Sequence, residues 1–225
     1  MLKVRFSEDK LLEAGIDEAG RGCLWGPLYA AAVFWLPEEE WIDEHREIGP
    51  MIKDSKKLSA KKRKFLAEQI KGLAMEYGIG VVTPQEIDSL GMTRSNQLAF
   101  ARALENCSIV PDRALVDGIL NLGDHQERLG IQSCETIVEG DGLYLPIAAA
   151  SILAKEARDS FVLEEVQKHP ALEQHYSIGS SKGYGTAKHR QGILDHGVHE
   201  QHRRLFLRKL LTPRIHEEEC LIMDD

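Results

Sequence analysis

The stretch Ala14-Gly15-Ile16-Asp17-Glu18-Ala19-Gly20-Arg21-Gly22 sets an apolar strand, two adjacent carboxylates and a glycine-rich turn side by side. Ala14–Asp17 reads as a short strand, and Ala19-Gly20-Arg21-Gly22 as the turn that ends it. Aspartate directly after an apolar strand is a poor core residue and an ordinary turn former. Neighbours on a strand point to opposite faces, so Asp17 and Glu18 share a site only if the strand breaks there. Gly20 and Gly22 offer that break. A backbone carbonyl from Glu18 is the other way to reach the same point.

Working outward, Leu28–Trp35 reads as a buried strand and Gly78–Val82 as another. Ser59 caps an expected helix that runs to about Tyr77, with Phe65, Leu66, Ile70, Leu73 and Tyr77 as its apolar stripe. Thr83-Pro84-Gln85-Glu86 is a capping box with proline at the first helical position. A helix follows from near Thr93 to Asn106. Arg113–Asp117 and Glu135–Val138 are expected strands, stopped by Gly118 and Gly140. Pro146–Lys168 reads as a long helix, and Thr186 caps a helix that stops at Gly197. Strands mixed with helices indicate an α/β domain with a mixed sheet flanked by helices and a helical C-terminal segment. Residues 1–211 make one expected domain, and 212–225 an acidic tail expected to be disordered.

The chain has 225 residues, 43% of them hydrophobic and 28% charged, as in an ordinary globular domain. No apolar run approaches the roughly 20 residues that span a bilayer, and the N-terminus lacks a signal-peptide core. A cytoplasmic protein with no membrane partner is expected. Cys23, Cys107, Cys134 and Cys220 form no C-x-x-C pair and read as reduced thiols. The net charge of −8 argues weakly against nucleic acid. Its distribution is uneven, however. Lys53, Lys56, Lys57, Lys61, Lys62, Arg63 and Lys64 cluster, as do Lys182, Lys188, Arg190, Arg203 and Arg204, while acid concentrates at Glu38–Glu40 and in the tail.

The informative pattern is where the carboxylates fall. Asp17 and Glu18 close the first strand, Asp117 closes another, and Asp141 follows a third just ahead of the long helix. Sites in α/β sheets gather at strand ends. Each aspartate alone is a turn former, as Asp117-Gly118 and Asp141-Gly142 illustrate. Four carboxylates gathered together repel unless a cation lies between them. All-oxygen ligands without histidine or thiolate favour Mg²⁺ or Mn²⁺ over zinc, and two such ions suit phosphodiester hydrolysis.

These segments resemble the ribonuclease HII family, the type 2 ribonucleases H. Gly15-Ile16-Asp17-Glu18-Ala19-Gly20-Arg21-Gly22 carries the likeness, with Asp54-Ser55-Lys56-Lys57-Leu58-Ser59, Leu115-Val116-Asp117-Gly118, Ala148–Lys155 with Arg158-Asp159, and Lys182-Gly183-Tyr184-Gly185-Thr186 with His189. The resemblance implies a ribonuclease H-like core and hydrolysis of RNA in RNA·DNA hybrids. It also implies cutting on the 5′ side of single ribonucleotides in duplex DNA, leaving 3′-hydroxyl and 5′-phosphate ends, and a monomer open to a duplex. It assigns the metal site to Asp17, Glu18, Asp117 and Asp141 with two Mn²⁺ or Mg²⁺ ions. It gives the 2′-hydroxyl to Gly20, Arg21 and Gly22, a phosphate to Lys56, and stacking at an RNA–DNA junction to Tyr184. Asp159 belongs to the matching segment but reads as structural. Trp25 departs from the small residue usual there and puts the width of the substrate groove in question.

Other readings compete. A P-loop needs a Lys-Ser/Thr pair that is missing here, and a two-lobed sugar kinase needs a longer chain. A non-catalytic nucleic-acid binder with the same fold explains the lysines and Tyr184, but gives no reason for acidic strand ends beside them. Zinc at His196, His199 and His202 is disfavoured because Gly197 interrupts any shared helix.

Overall fold

The computed structural model describes residues 2–53 and 55–212. Its strands are β1 (Glu13–Ala19), β2 (Leu28–Phe34), β3 (Glu76–Val82), β4 (Arg113–Asp117) and β5 (Ser133–Ile137). The helices are α1 (Asp43–Ile48), α2 (Ala60–Leu73), α3 (Pro84–Leu90), α4 (Met92–Glu105), α5 (His125–Arg128), α6 (Leu145–Lys168), α7 (Ala171–Tyr176), α8 (Ile178–Ser181), α9 (Ala187–His196) and α10 (Arg204–Leu211). None is long and apolar enough to cross a membrane. The sheet order is β3-β2-β1-β4-β5. β2 pairs antiparallel with β1 and β3, and β4 pairs parallel with β1 and β5, so the sheet is mixed as expected.

Alternation along β1 sorts its side chains between two cores. Ala14 and Ile16 face α4 and join Leu28, Ala30, Phe34, Val82, Ala99 and Phe100. Ala19 lies on the opposite face, in the core built by α2 and α6. That second core forms because Gly15 lets α6 lie directly on β1: a β-carbon at Gly15 would stand 2.2 Å from the Pro146 carbonyl carbon. A third, smaller core gathers Trp25, Val162, Leu172, Tyr176, Ile178, Ile193 and Leu207 under the C-terminal helices.

Several boundaries differ from expectation. α2 ends at Leu73, four residues short of Tyr77, because Glu76 and Tyr77 pair with Phe34 and Val33 of β2. Helical periodicity there yields to sheet pairing. β1 does not break after Asp17 but continues through Ala19, opposite Tyr29. The Thr83 capping box, the Thr186 cap and the Gly197 stop stand as read. Cys23, Cys107 and Cys134 are free, while Cys220 and the tail from residue 213 lie outside the described residues.

The C-terminal helices are stitched together by histidines. His189 Nδ1 lies 2.9 Å from the Tyr184 carbonyl, and its Nε2 lies 2.9 Å from Nε2 of His202. His202 Nδ1 accepts the backbone N–H of His199. The only consistent assignment has His189 donating from Nδ1 and His202 donating from Nε2, with both rings neutral. A proton added to either ring sets two N–H groups against each other. Burial, reinforced by His189 and His199, pulls His202 down to about 3, and burial lowers His189. These hydrogen bonds make the histidines a packing network.

Two outcomes follow from this packing. Gly15→Val should cost about 3 kcal/mol or more, the upper end for overpacking, because backbone on both sides leaves no room to yield. Denaturant unfolding of the variant measures this, and wild-type stability would contradict the close approach. Secondly, the His202 ring should not titrate between pH 8 and 5 in an NMR titration, and the His189 ring should titrate below a free imidazole. The unfolded chain takes up these protons near pH 6.5 and the folded chain refuses them. The depressed His202 value therefore lowers stability as pH falls from about 6.5 towards 3, by roughly 1.4 kcal/mol per pH unit, and the lowered His189 acts in the same direction. A ring that protonates with a midpoint above 6 rules out the neutral pair.

Candidate active site

β1 and β4 run parallel, so their C-terminal ends open on the same edge of the sheet. Asp17 sits at this edge, on the α6 face and only 6% exposed. Its Oδ1 accepts the Glu18 N–H at 2.7 Å. Burial pushes the Asp17 carboxyl well up, and the Glu18 and Asp117 charges add to the rise, against the nearby Ser151 hydroxyl. Ser151 lies on α6, and its hydroxyl is 2.9 Å from that of Ser55. The short turn Ser55–Lys57 is thus tied to the strand end through one serine.

Because β1 continues past Asp17, Glu18 points to the other face, toward α4. Its Oε1 lies 3.8 Å from Arg21 Nη1. Burial raises Glu18, partly offset by Asn96, Arg21 and Lys56. Asn96 is fully buried on α4. Its amide sits beside Glu18, yet neither its nitrogen nor its oxygen makes a hydrogen bond of regular geometry. We read the pair as proximity without a formed bond. Asp117, at the end of β4, accepts the N–H of Gly140 at 2.8 Å and that of Asp141 at 3.4 Å. This brings the turn Gly140–Gly142, and with it the buried Asp141, onto the end of β4.

The structure therefore brings Asp17, Glu18 and Asp117 within electrostatic reach of one another and attaches the Asp141 backbone to Asp117. Among the described residues these carboxylates adjoin without three of them enclosing a single ion position. The donor set suits a hard cation: it is all oxygen, and mutual repulsion already raises Asp17.

Beside the carboxylates, Gly20, Arg21 and Gly22 form the expected turn. Gly20 has φ +91°, and a β-carbon there would meet Arg158 Nε at 2.0 Å. Nothing lies within 4 Å of the corresponding position on Gly22, so its surface is open to an approaching molecule. Tyr184 reaches the same rim because Cys23 and Tyr184 form an antiparallel bridge, with Leu24 N–H donating to Gly183 O at 2.9 Å. Its ring is 43% exposed, and the Arg158 guanidinium carbon lies 6.0 Å from the ring centre. Trp25 is fully buried in the third core and does not face a groove. Asp159 binds Arg63 at 3.0 Å and Lys155 at 2.6 Å, the structural role expected. Asp54 lies outside the described residues.

Sequence reasoning overlooked the supporting set. Ser55, Ser151 and Arg158 stood within the matching segments but carried no role, and Arg203 counted only as surface charge. Asn96, inside an amphipathic helix, gave no signal beyond being a polar residue on the buried face.

Comparison with known proteins bears on the family and the fold of the chain. The sequence model of the family described as Ribonuclease HII matches residues 14–209. The chain is similar to a ribonuclease HII of Trichodesmium erythraeum, 43% identical over 87% of this chain and 86% of that protein. A ribonuclease HII of Neisseria meningitidis serogroup B is 41% identical over 90% of this chain and 96% of its own. Among solved structures, ribonuclease H2 from Pyrococcus horikoshii OT3 superposes with a TM-score of 0.64 at 30% identity, over 88% of this chain and 96% of that one. A chain in the PCNA:RNase HII complex from Archaeoglobus fulgidus gives a TM-score of 0.69 at 27% identity, over 91% of this chain and 98% of that one. With the family's pattern spanning nearly the whole described chain, and relatives matched over most of their own length, the chain belongs to the ribonuclease HII family and is a metal-dependent endoribonuclease of the ribonuclease H type.

Proposed function

We propose that this enzyme hydrolyses RNA in RNA·DNA hybrids and cuts on the 5′ side of single ribonucleotides in duplex DNA, leaving a 3′-hydroxyl and a 5′-phosphate. The observation that carries this reading is the Cys23–Tyr184 bridge, which sets a glycine turn and an exposed aromatic ring on one rim next to the acidic strand ends. The chemical mark of a ribonucleotide is its 2′-hydroxyl, both donor and acceptor. Gly20, Arg21 and Gly22 offer that hydroxyl bare backbone, and the open space at Gly22 supports contact there. Tyr184 stacks on the neighbouring sugar and distinguishes a deoxyribose from a ribose. Lys56 would meet a phosphate, a reading supported by its nearness to Glu18, whose charge it favours. Such a duplex needs one open face, which supports a monomer, and a nucleic-acid substrate supports a cytoplasmic location.

Asp17, Glu18, Asp117 and Asp141 would hold the divalent cations, with two Mg²⁺ or Mn²⁺ ions our preferred count. When bound, such ions supply Lewis acidity toward the phosphodiester and its leaving oxygen. The protein's own part is to keep the carboxylates in register: the Gly140 and Asp141 N–H groups hold Asp117, and the Ser151 hydroxyl stands beside Asp17.

The direct test is cleavage of a DNA duplex carrying one ribonucleotide, with and without divalent metal. Cleavage only with metal is expected, and binding without cleavage under any metal would favour a non-catalytic binder. Asp17→Asn and Asp117→Asn should each reduce the rate by about 10²-fold or more while leaving the chain folded by circular dichroism. A near wild-type rate for either at saturating Mg²⁺ removes it from the site. Tyr184→Ala should lose single-ribonucleotide cleavage far more than cleavage of long hybrids, whereas Tyr184→Phe keeps most of it because stacking dominates. Equal losses on both substrates for Tyr184→Ala would make Tyr184 a packing residue.

A further inference from the structure

Arg158 and Arg203 are both fully buried. Among the described residues neither forms an ion pair with a carboxylate. A buried cation without a counter-charge is costly to the fold. Burial pulls Arg203 down to about 10, the mark of that cost. Arg158 spends its whole guanidinium group on backbone carbonyls, and Arg203 spends Nε and Nη1 on them while its buried Nη2 has no hydrogen-bond partner among the described residues. Arg158 donates to Lys182 O at 2.8 Å, Trp25 O at 3.1 Å and Pro27 O at 3.3 Å. Arg203 donates from Nη1 to Gly20 O at 2.7 Å and Arg21 O at 3.1 Å, and from Nε to Gly26 O at 2.8 Å. The Arg203 N–H itself donates to Leu24 O at 2.8 Å, which anchors the residue on the loop it serves.

The peptide groups of the turn are therefore divided. The carbonyls of Gly20 and Arg21 are held inward by one guanidinium nitrogen. Among the described residues no protein acceptor takes the N–H of Gly20, Arg21 or Gly22. A peptide unit is planar, so fixing its carbonyl fixes the direction of the N–H on the opposite side. We propose that Arg203 is a positioning residue for ribose discrimination: by clamping the Gly20 and Arg21 carbonyls it presents the N–H groups of Arg21 and Gly22, which share those peptide planes, to the 2′-hydroxyl. This rests on the reading that the Gly20–Gly22 turn meets that hydroxyl. Lysine in place of Arg203 keeps the charge but cannot hold three carbonyls from one rigid fork.

The test is equilibrium binding in EDTA, where no cleavage occurs. Fluorescence anisotropy measures Kd for a DNA duplex with one ribonucleotide and for the all-DNA duplex of the same sequence. The wild-type protein should prefer the first. In Arg203→Lys the preference should fall by about tenfold, the size of a lost hydrogen bond or two, while all-DNA affinity stays within about twofold. Leu207→Ala serves as the control. It loosens the core that holds Trp25, of which Gly20, Arg21 and Gly22 are not part, and should keep the preference. An unchanged preference in folded Arg203→Lys overturns the proposal, and so does an equal loss in Leu207→Ala. A wild-type protein that binds both duplexes equally overturns the reading of the turn itself and the clamp with it. Should Arg203→Lys fail to fold, hydrogen exchange of wild type decides. The Arg21 and Gly22 amides should be protected more by the ribonucleotide duplex than by the all-DNA duplex, and equal exchange overturns the proposal.

Discussion

The close approach of α6 to β1 at Gly15 sets the position of nearly everything that matters in this molecule. With no side chain between them, the Pro146–Ile147 backbone rests on the strand. That contact carries Ser151, little more than one turn along the helix, to the carboxylate of Asp17. It also brings the Gly140–Gly142 turn ahead of the helix onto the end of β4, where Asp117 accepts two of its N–H groups. Further along the same helix, Arg158 reaches the loops that hold Gly20 and Tyr184. One rigid helix, 24 residues long, therefore spans from the acidic strand ends to the recognition loops and fixes their separation.

The energetics of the site run against stability. Asp17 is buried beside two other carboxylates, and two arginines are buried without any carboxylate partner among the described residues. The opposite charges are kept in separate clusters when pairing them would be more favourable to the fold. This is the arrangement expected where negative oxygens must stay available to cations and backbone must stay available to a nucleic acid. The surrounding cores supply what the site withholds. Ile16, Leu115 and Phe100 are fully buried, and the neutral His189–His202 pair fastens the C-terminal helices beneath Tyr184.

The structure also answers the difficulty posed by adjacent Asp17 and Glu18. The expected break in the strand does not occur, and the two side chains do leave β1 on opposite faces. They remain electrostatically coupled because they stand at the very edge of the sheet, where no further strand residues separate them. Glu18 is met by Asn96 and Arg21, and Asp17 by Ser151. The site is thus assembled from both layers of the domain.

The sequence by itself determined the five strands, the helices α2, α3, α4, α6 and α9, which are half of the ten described, and the acidic strand ends. Those rest on local rules: alternation, capping residues, and glycine or aspartate where an apolar run stops. Thr83-Pro84-Gln85-Glu86 and Arg113–Asp117 were legible for that reason. The residues of the turn and Tyr184 were legible through a family likeness, which local physics did not supply. Only the tertiary structure decided that Tyr77 belongs to a strand, that Trp25 is core, and that Arg203 grips the turn 183 residues before it. Each of these depends on a partner distant in sequence. A pairing strand, a helix layer or a carbonyl across the loop leaves no trace in the neighbours of the residue it captures.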